Sequence, residues 1–158
     1  MASEAQTREI PNDLATLLIP VSGNQYLLLP GVTVAEVIHY EEPQPVEGTP
    51  EWFLGTIEWR TKTIPLIAYE TLSEQPCERG PNIHIAVLNG SEDADAMPFY
   101  AILTQATPRL LRLIKEEVIE DKHVKVGKLD IMAVKASGEP ALIPDISKIE
   151  KEVLKQLK

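Results

Sequence analysis

An all-β chain, built as two small packed β-barrels with one C-terminal helix, is what this sequence predicts. Three observations carry the prediction. Punctuation is the first: 13 prolines and 8 glycines divide 158 residues into short runs, which favours many short strands over long helices. Residue type is the second: apolar residues make up 44% of the chain while aromatics reach only 5%, so aliphatic and β-branched side chains dominate, and these suit a pleated surface. The third is that one segment alone, Ser147 to Leu157, carries convincing helical periodicity. About ten short strands would leave bare edges in an open sheet, and small closed barrels remove them.

The elements follow in order. Residues 1–12 are polar and read as a flexible N-terminus, which leaves 13–158 as a single domain of two barrel subdomains. Leu14 to Val21 and Gln25 to Leu29 flank the turn signal Ser22-Gly23-Asn24 and form a hairpin. Val32 to Tyr40 is a turn and then a strand, and Glu41 to Pro50, with three prolines, is a loop. Trp52 to Arg60 alternates: Phe53, Gly55, Ile57 and Trp59 share one face, and Leu54, Thr56, Glu58 and Arg60 the other. Gly55 leaves a gap where another backbone can approach. Thr61-Lys62 reads as the turn and Thr63 to Ala68 as the returning strand, with Pro65 marking an edge or a bulge.

Ser73 to Asn82 is a polar loop, Ile83 to Leu88 a strand, Asn89 to Met97 an acidic loop and Pro98 to Thr104 a strand. Leu110 to Ile114 reads as another strand, Glu116 to Lys125 as a charged excursion, and Leu129 to Lys135 and Ala141 to Ile143 as strands about the Ser137-Gly138 turn. In the final helix Ser147 and Glu150 have capping-box spacing, and Ile146, Ile149, Val153, Leu154 and Leu157 form one apolar stripe. The similar endings near Ala68–Leu72 and Ile143–Ile146 hint at a duplicated unit.

Charge narrows the function. The formal net charge is -9, which argues against nucleic-acid binding and against direct contact with an anionic membrane. The distribution is uneven: residues 1–105 hold 4 bases and 15 acids, residues 106–158 hold 11 bases and 9 acids. One reading is a merely uneven soluble surface; the other is opposite potentials at opposite ends, favouring head-to-tail contacts. Cys77 is the only cysteine, the N-terminus lacks signal-peptide character, and no apolar run reaches membrane-spanning length. A cytoplasmic setting follows, with any membrane association supplied by another protein.

Catalytic chemistry finds no foothold. His39, His84 and His123 stand in no metal-ligand spacing with one another or with Cys77, so no metal and no cofactor is expected. Glu92-Asp93-Ala94-Asp95 lacks the glycine and terminal glutamate of a calcium loop. Phosphate-cradling loops, nucleophile elbows and convergent carboxylates are missing too. No catalytic residue is assigned, and the chain is expected not to be an enzyme.

Interaction chemistry is better represented. Trp52 and Trp59, the only tryptophans, lie beside Phe53 and Arg60, and Trp and Arg are the residues most enriched at binding hot spots. Alternation puts Trp59 in the core, whereas Trp52, after Pro50, is expected to be partly exposed. Arg60 is an isolated base in an acidic half. Its partner is either an internal acid such as Glu58 or Glu70 or an acidic surface elsewhere.

The stretch Trp52–Leu72 resembles the central signature of the CheW-like chemotaxis adaptor family. Gly55, Arg60 and Pro65 stand where the family places its Gly, Arg and Pro. Leu17–Val21 with Gln25–Pro30 is similar to the family's opening hairpin, Val34–Ile38 to the segment after it, and Ala141–Leu157 to its closing strand and helix. Glu58 departs from the usual Asn, Thr61 from the usual Gly and Ala68 from the usual Asp. With these departures the chain resembles the accessory adaptors of type IV pilus and twitching systems (the ChpC and PilI type).

The resemblance implies two interlocked five-stranded SH3-like barrels and no catalysis. It implies binding to the regulatory domain of a CheA-type histidine kinase, to the cytoplasmic tip of a methyl-accepting chemoreceptor and to other CheW-like domains. By position it places Glu58, Arg60, Thr61 and Lys62 at the partner-binding surface, with Glu36 and Val37 on the neighbouring strand; residue type and expected exposure, not the resemblance, add Trp52 as a further contact. A β-barrel binding a small molecule or peptide, unrelated to chemotaxis, is the alternative.

Overall fold

Leu27, Leu28 and Leu29 are all buried, yet successive side chains on a strand point to opposite faces. Both faces of this strand therefore meet protein. Leu28 enters a cluster with Leu18, Leu113, Val134, Ala136 and Ala141, while Leu27 and Leu29 enter a larger one with Ile19, Phe53, Tyr69, Tyr100 and Val153. The unbroken apolar runs of the sequence record this double burial.

The computed structural model describes residues 13–157, so the expected flexible segment 1–12 lies outside the described residues. Eleven strands form two sheets. The first contains β1 (Asp13–Val21), β2 (Gln25–Pro30), β8 (Arg109–Ile114), β9 (Val118–Glu120), β10 (Asp130–Ala136) and β11 (Glu139–Pro144), in the order β8-β1-β2-β11-β10-β9. The second contains β3 (Val34–His39), β4 (Phe53–Trp59), β5 (Lys62–Ile67), β6 (His84–Asn89) and β7 (Phe99–Thr104), in the order β3-β6-β7-β5-β4. Each sheet curls about its own small core. The large cluster fills the space between them and is covered by the helix α2 (Ile146–Gln156), whereas α1 (Tyr69–Leu72) is a single turn. The fold is two packed, barrel-like β-units with a C-terminal helix, as the sequence predicts.

Several details differ. The first unit has six strands rather than five, because Val118–Glu120 pairs with β10 inside the stretch read as a charged excursion. The turn after β4 is Arg60–Thr61, one residue earlier than expected, so Lys62 belongs to β5 and pairs with Trp59. Pro65 lies on an inner strand, not an edge. It is tolerated there because β5 joins β7 only at Leu66 and Ile67, which leaves the neighbouring stretch without a ladder to break. Phe53, Gly55, Ile57 and Trp59 are all buried, but not in one core. A bulge between Phe53 and Gly55 turns Phe53 into the inter-sheet cluster, while Ile57 and Trp59 fill the five-stranded unit. Gly55 admits the backbone of Gln44, whose carbonyl oxygen would clash with a Cβ there.

The Ser147–Glu150 capping box does not form. α2 starts at Ile146, and the Asp145 side chain accepts from the Lys148 N–H at 3.2 Å. Glu150 is drawn inward instead. Fully buried, it accepts from the Ser91 N–H at 2.7 Å, the Glu92 N–H at 2.8 Å, and the hydroxyls of Ser91 and Tyr100 at 3.0 Å each. The helix is thereby fastened to the β6–β7 loop. The similar endings noted in sequence correspond to β5 running into α1 and β11 running into α2, one in each unit.

Candidate functional site

The five-stranded sheet ends in β3 and β4, with Gln44 bridged to the outer side of β4 at Thr56, and side chains close the seam between the two end strands. Trp59, at the end of β4, is 6% exposed and packs edge-on against Phe99 at 4.8 Å. Its indole N–H still needs an acceptor. Glu36 on β3 supplies one, with Nε1 to Oε1 at 2.9 Å. The same carboxylate oxygen receives the Arg60 guanidinium at 3.2 Å, and that guanidinium lies 4.8 Å from the centre of the Trp59 ring. Glu36, Trp59 and Arg60 form one constellation in which Arg60 lies over the tryptophan and remains 67% exposed.

The turn holds Arg60 out. A two-residue hairpin loop of the favoured hand needs positive φ at both central positions, and Arg60 and Thr61 have φ of 46° and 65°. Neither is glycine, and a β-branched residue in this region is a steric outlier. Beside the turn, Glu58 is exposed and accepts from the Thr63 hydroxyl at 2.6 Å, and Lys62 is exposed. Lys62 and Thr63 border an open cleft of about 480 Å³ whose apolar wall includes Ile64, Pro65, Met97 and Phe99.

Of the seven residues expected to meet partners, Glu36, Glu58, Arg60, Thr61 and Lys62 gather at this end of the unit. Val37 alternates to the other side of β3, opposite Ala86 of the inter-sheet cluster. Trp52 is partly buried, as expected, but it precedes β4 and packs on that cluster 6.1 Å from Phe53, at the far end of the strand from Arg60. Neither expected internal partner of Arg60 fits. Glu58 is occupied by Thr63, and Glu70 is fully buried, accepting from the Ser22 N–H, the Ser22 hydroxyl and Gln105 Nε2, each at 2.9 Å. Glu36 takes its place, which sequence spacing does not reveal because the pairing is long-range.

Among the described residues no three His, Cys, Asp or Glu side chains converge as metal ligands. Cys77 is half-buried, and its thiol is pushed up by burial and then by the Glu70 charge, the reverse of an activated thiolate. Burial and then the Asp130 carboxylate push the Tyr69 phenol up, which keeps it neutral as the donor to Asp130. No helix among the described residues is long and apolar enough to cross a membrane.

A sequence model of the CheW-like domain family matches residues 16–153. The fold is similar to that of the scaffolding protein TtCheW from Thermoanaerobacter tengcongensis, with a TM-score of 0.69 at 14% identity over 83% of this chain and 88% of that one. No curated protein matches the chain significantly.

Proposed function

From the premise that this chain belongs to the CheW-like domain family, a family of scaffolds in chemotaxis-type signalling, we propose that it is a non-enzymatic adaptor coupling chemoreceptors to a CheA-type histidine kinase. The observation that carries the reading is the family match across residues 16–153. The exposed Arg60, oriented by Glu36 and Trp59 at the end of a packed unit, supports it at the level of residues. Aromatic-backed arginines on a rigid frame are effective contact residues, because little side-chain freedom is lost on docking.

In this proposal residues 13–158 work as one unit. Glu36, Glu58, Arg60, Thr61 and Lys62 meet the kinase regulatory domain or the receptor tip, with Val37 and Trp52 on separate faces. The strands β3–β7 come from the acidic part of the chain, while β8–β11 and α2 come from the basic part. That division favours head-to-tail contact with another CheW-like domain. The protein works in the cytoplasm and reaches receptor arrays through its partners. Glu58 and Thr61, which depart from the family pattern at the exposed turn, fit an accessory adaptor of type IV pilus and twitching control.

Co-purification tests the proposal. The purified chain should retain a CheA-type regulatory domain or a receptor cytoplasmic tip from the same cell, and Arg60→Glu should weaken that retention while leaving the melting temperature within a few degrees. Failure to retain either partner would refute the adaptor role. Equal retention by the variant would remove Arg60 from the interface.

A further inference from the structure

We propose that His39 and His84 form a two-point chelating site for a divalent first-row transition-metal ion on the free edge of the five-stranded sheet. The two histidines are far apart in sequence, but β3 and β6 pair antiparallel and place them directly opposite one another. Their ring centroids are 5.4 Å apart. Two imidazoles bound at about 2.1 Å to one tetrahedral ion hold their centroids roughly 5 Å apart, so the spacing of the two rings matches that of a chelating pair.

A second observation comes from the hydrogen bonding. His84 Nδ1 lies 2.7 Å from the Asn82 carbonyl oxygen. A carbonyl only accepts, so Nδ1 is the donor, and in the neutral ring the lone pair is on Nε2. A ring nitrogen fixed by a backbone carbonyl is the usual outer support of a histidine ligand. The neighbouring cation, Arg79, is engaged by Tyr40. Arg79 lies over the Tyr40 ring at 5.5 Å, and Tyr40, the next residue after His39, packs against the core of the five-stranded unit. His39 is exposed and His84 half-buried, which leaves an ion's remaining positions to water. Imidazole donors of this number suit Ni²⁺, Cu²⁺ or Zn²⁺ in an exchangeable site.

An ion held there would fasten the edge strand β3 to β6 three residues from Glu36, and so stiffen the strand that orients Arg60.

Titration of the chelator-stripped full chain with Ni²⁺, followed by calorimetry and by thermal melting, tests the site. One-site binding and a rise in melting temperature are expected. His39→Ala and His84→Ala should each weaken binding about tenfold or more, because a chelate becomes a single-point contact. His39→Gln, which keeps a polar exposed side chain, should do the same if His39→Ala folds poorly. His123→Ala and Cys77→Ser should bind as the parent does. Absence of binding at millimolar Ni²⁺, undiminished affinity in either His39 or His84 variant, or loss of affinity in the His123 or Cys77 variant would overturn the proposal.

Discussion

Glu36 and Trp59 join the two end strands of the five-stranded sheet by a 2.9 Å hydrogen bond from the indole N–H to the carboxylate. The backbone ladder stops on either side of this seam, so a side-chain contact does there what strand pairing does elsewhere.

Removing that acceptor separates two contributions of Glu36. Glu36→Ala leaves the nearly buried indole N–H without a partner and is expected to cost about 1–3 kcal/mol. Glu36→Gln keeps a carbonyl acceptor and loses mainly the exposed ion pair with Arg60, worth roughly 0–1 kcal/mol. Urea unfolding of both variants should rank Ala well below Gln; equal losses would show that the seam does not depend on the indole bond.

Thr61 holds a positive φ that its branched side chain resists. Thr61→Gly should relieve this strain, and after the added freedom of glycine in the unfolded chain the net gain should be about 0.5–1 kcal/mol. A thermal melt reads it directly. A lower melting temperature would mean that the turn relaxes easily around threonine.

Glu150→Ala strips the acceptor from two backbone N–H groups and two hydroxyls at once. The loss should be about 3 kcal/mol or more. Amide exchange should rise together in α2 and in the loop around Ser91. Exchange confined to one of the two would contradict their coupling through this carboxylate.

Asp130 makes stability depend on pH. Burial holds its carboxyl above the ordinary aspartate range, against the opposing hydrogen bonds from Tyr69 and Gly127, and Oδ2 has no partner. The folded state therefore binds the proton more tightly than the unfolded state does. The carboxylate's desolvation penalty is absent below the ordinary aspartate pKa and grows as pH rises from there through the raised folded value. Asp130→Asn should stabilise the protein at neutral pH, and its advantage should shrink as pH falls toward the ordinary aspartate value. Melts of both proteins at pH 4 and pH 7 measure this; a constant difference would place the effect elsewhere than in ionisation.

Local signals in the sequence located most of the strands. Ser22-Gly23-Asn24 and Ser137-Gly138 mark their hairpins because turn chemistry acts over a few residues. Strand β9 escaped because three residues among charges leave no period to detect. The bulge beside Gly55, which sends Phe53 and Ile57 into different cores, has no signature beyond the glycine itself. Ser147 and Glu150 had the right spacing for a cap, but tertiary contacts with Ser91 and Tyr100 claimed the glutamate. The sequence named Glu36, Glu58, Arg60, Thr61 and Lys62 as candidates, but not the pairing of Glu36 with Arg60, for which it offered Glu58 or Glu70. Glu36 meets Arg60 only once β3 and β4 have become opposite edges of one curled sheet.

The membership of the two sheets sets an order of assembly during synthesis. Strands β3 to β7 come from one uninterrupted stretch, so their unit can close as soon as Thr104 has left the ribosome. The hairpin β1–β2 is made first, yet its outer partners β8 and β11 are made last. At usual elongation rates that wait is on the order of ten seconds. Throughout it, the Leu18 and Leu28 face of the ribbon waits for Leu113, Val134, Ala136 and Ala141, while Ile19, Leu27 and Leu29 already have the five-stranded unit to pack on. Nascent-chain holding factors should therefore bind the first thirty or so residues most strongly, and early release should divert the protein into aggregates through this hairpin rather than through the unit that bears Arg60.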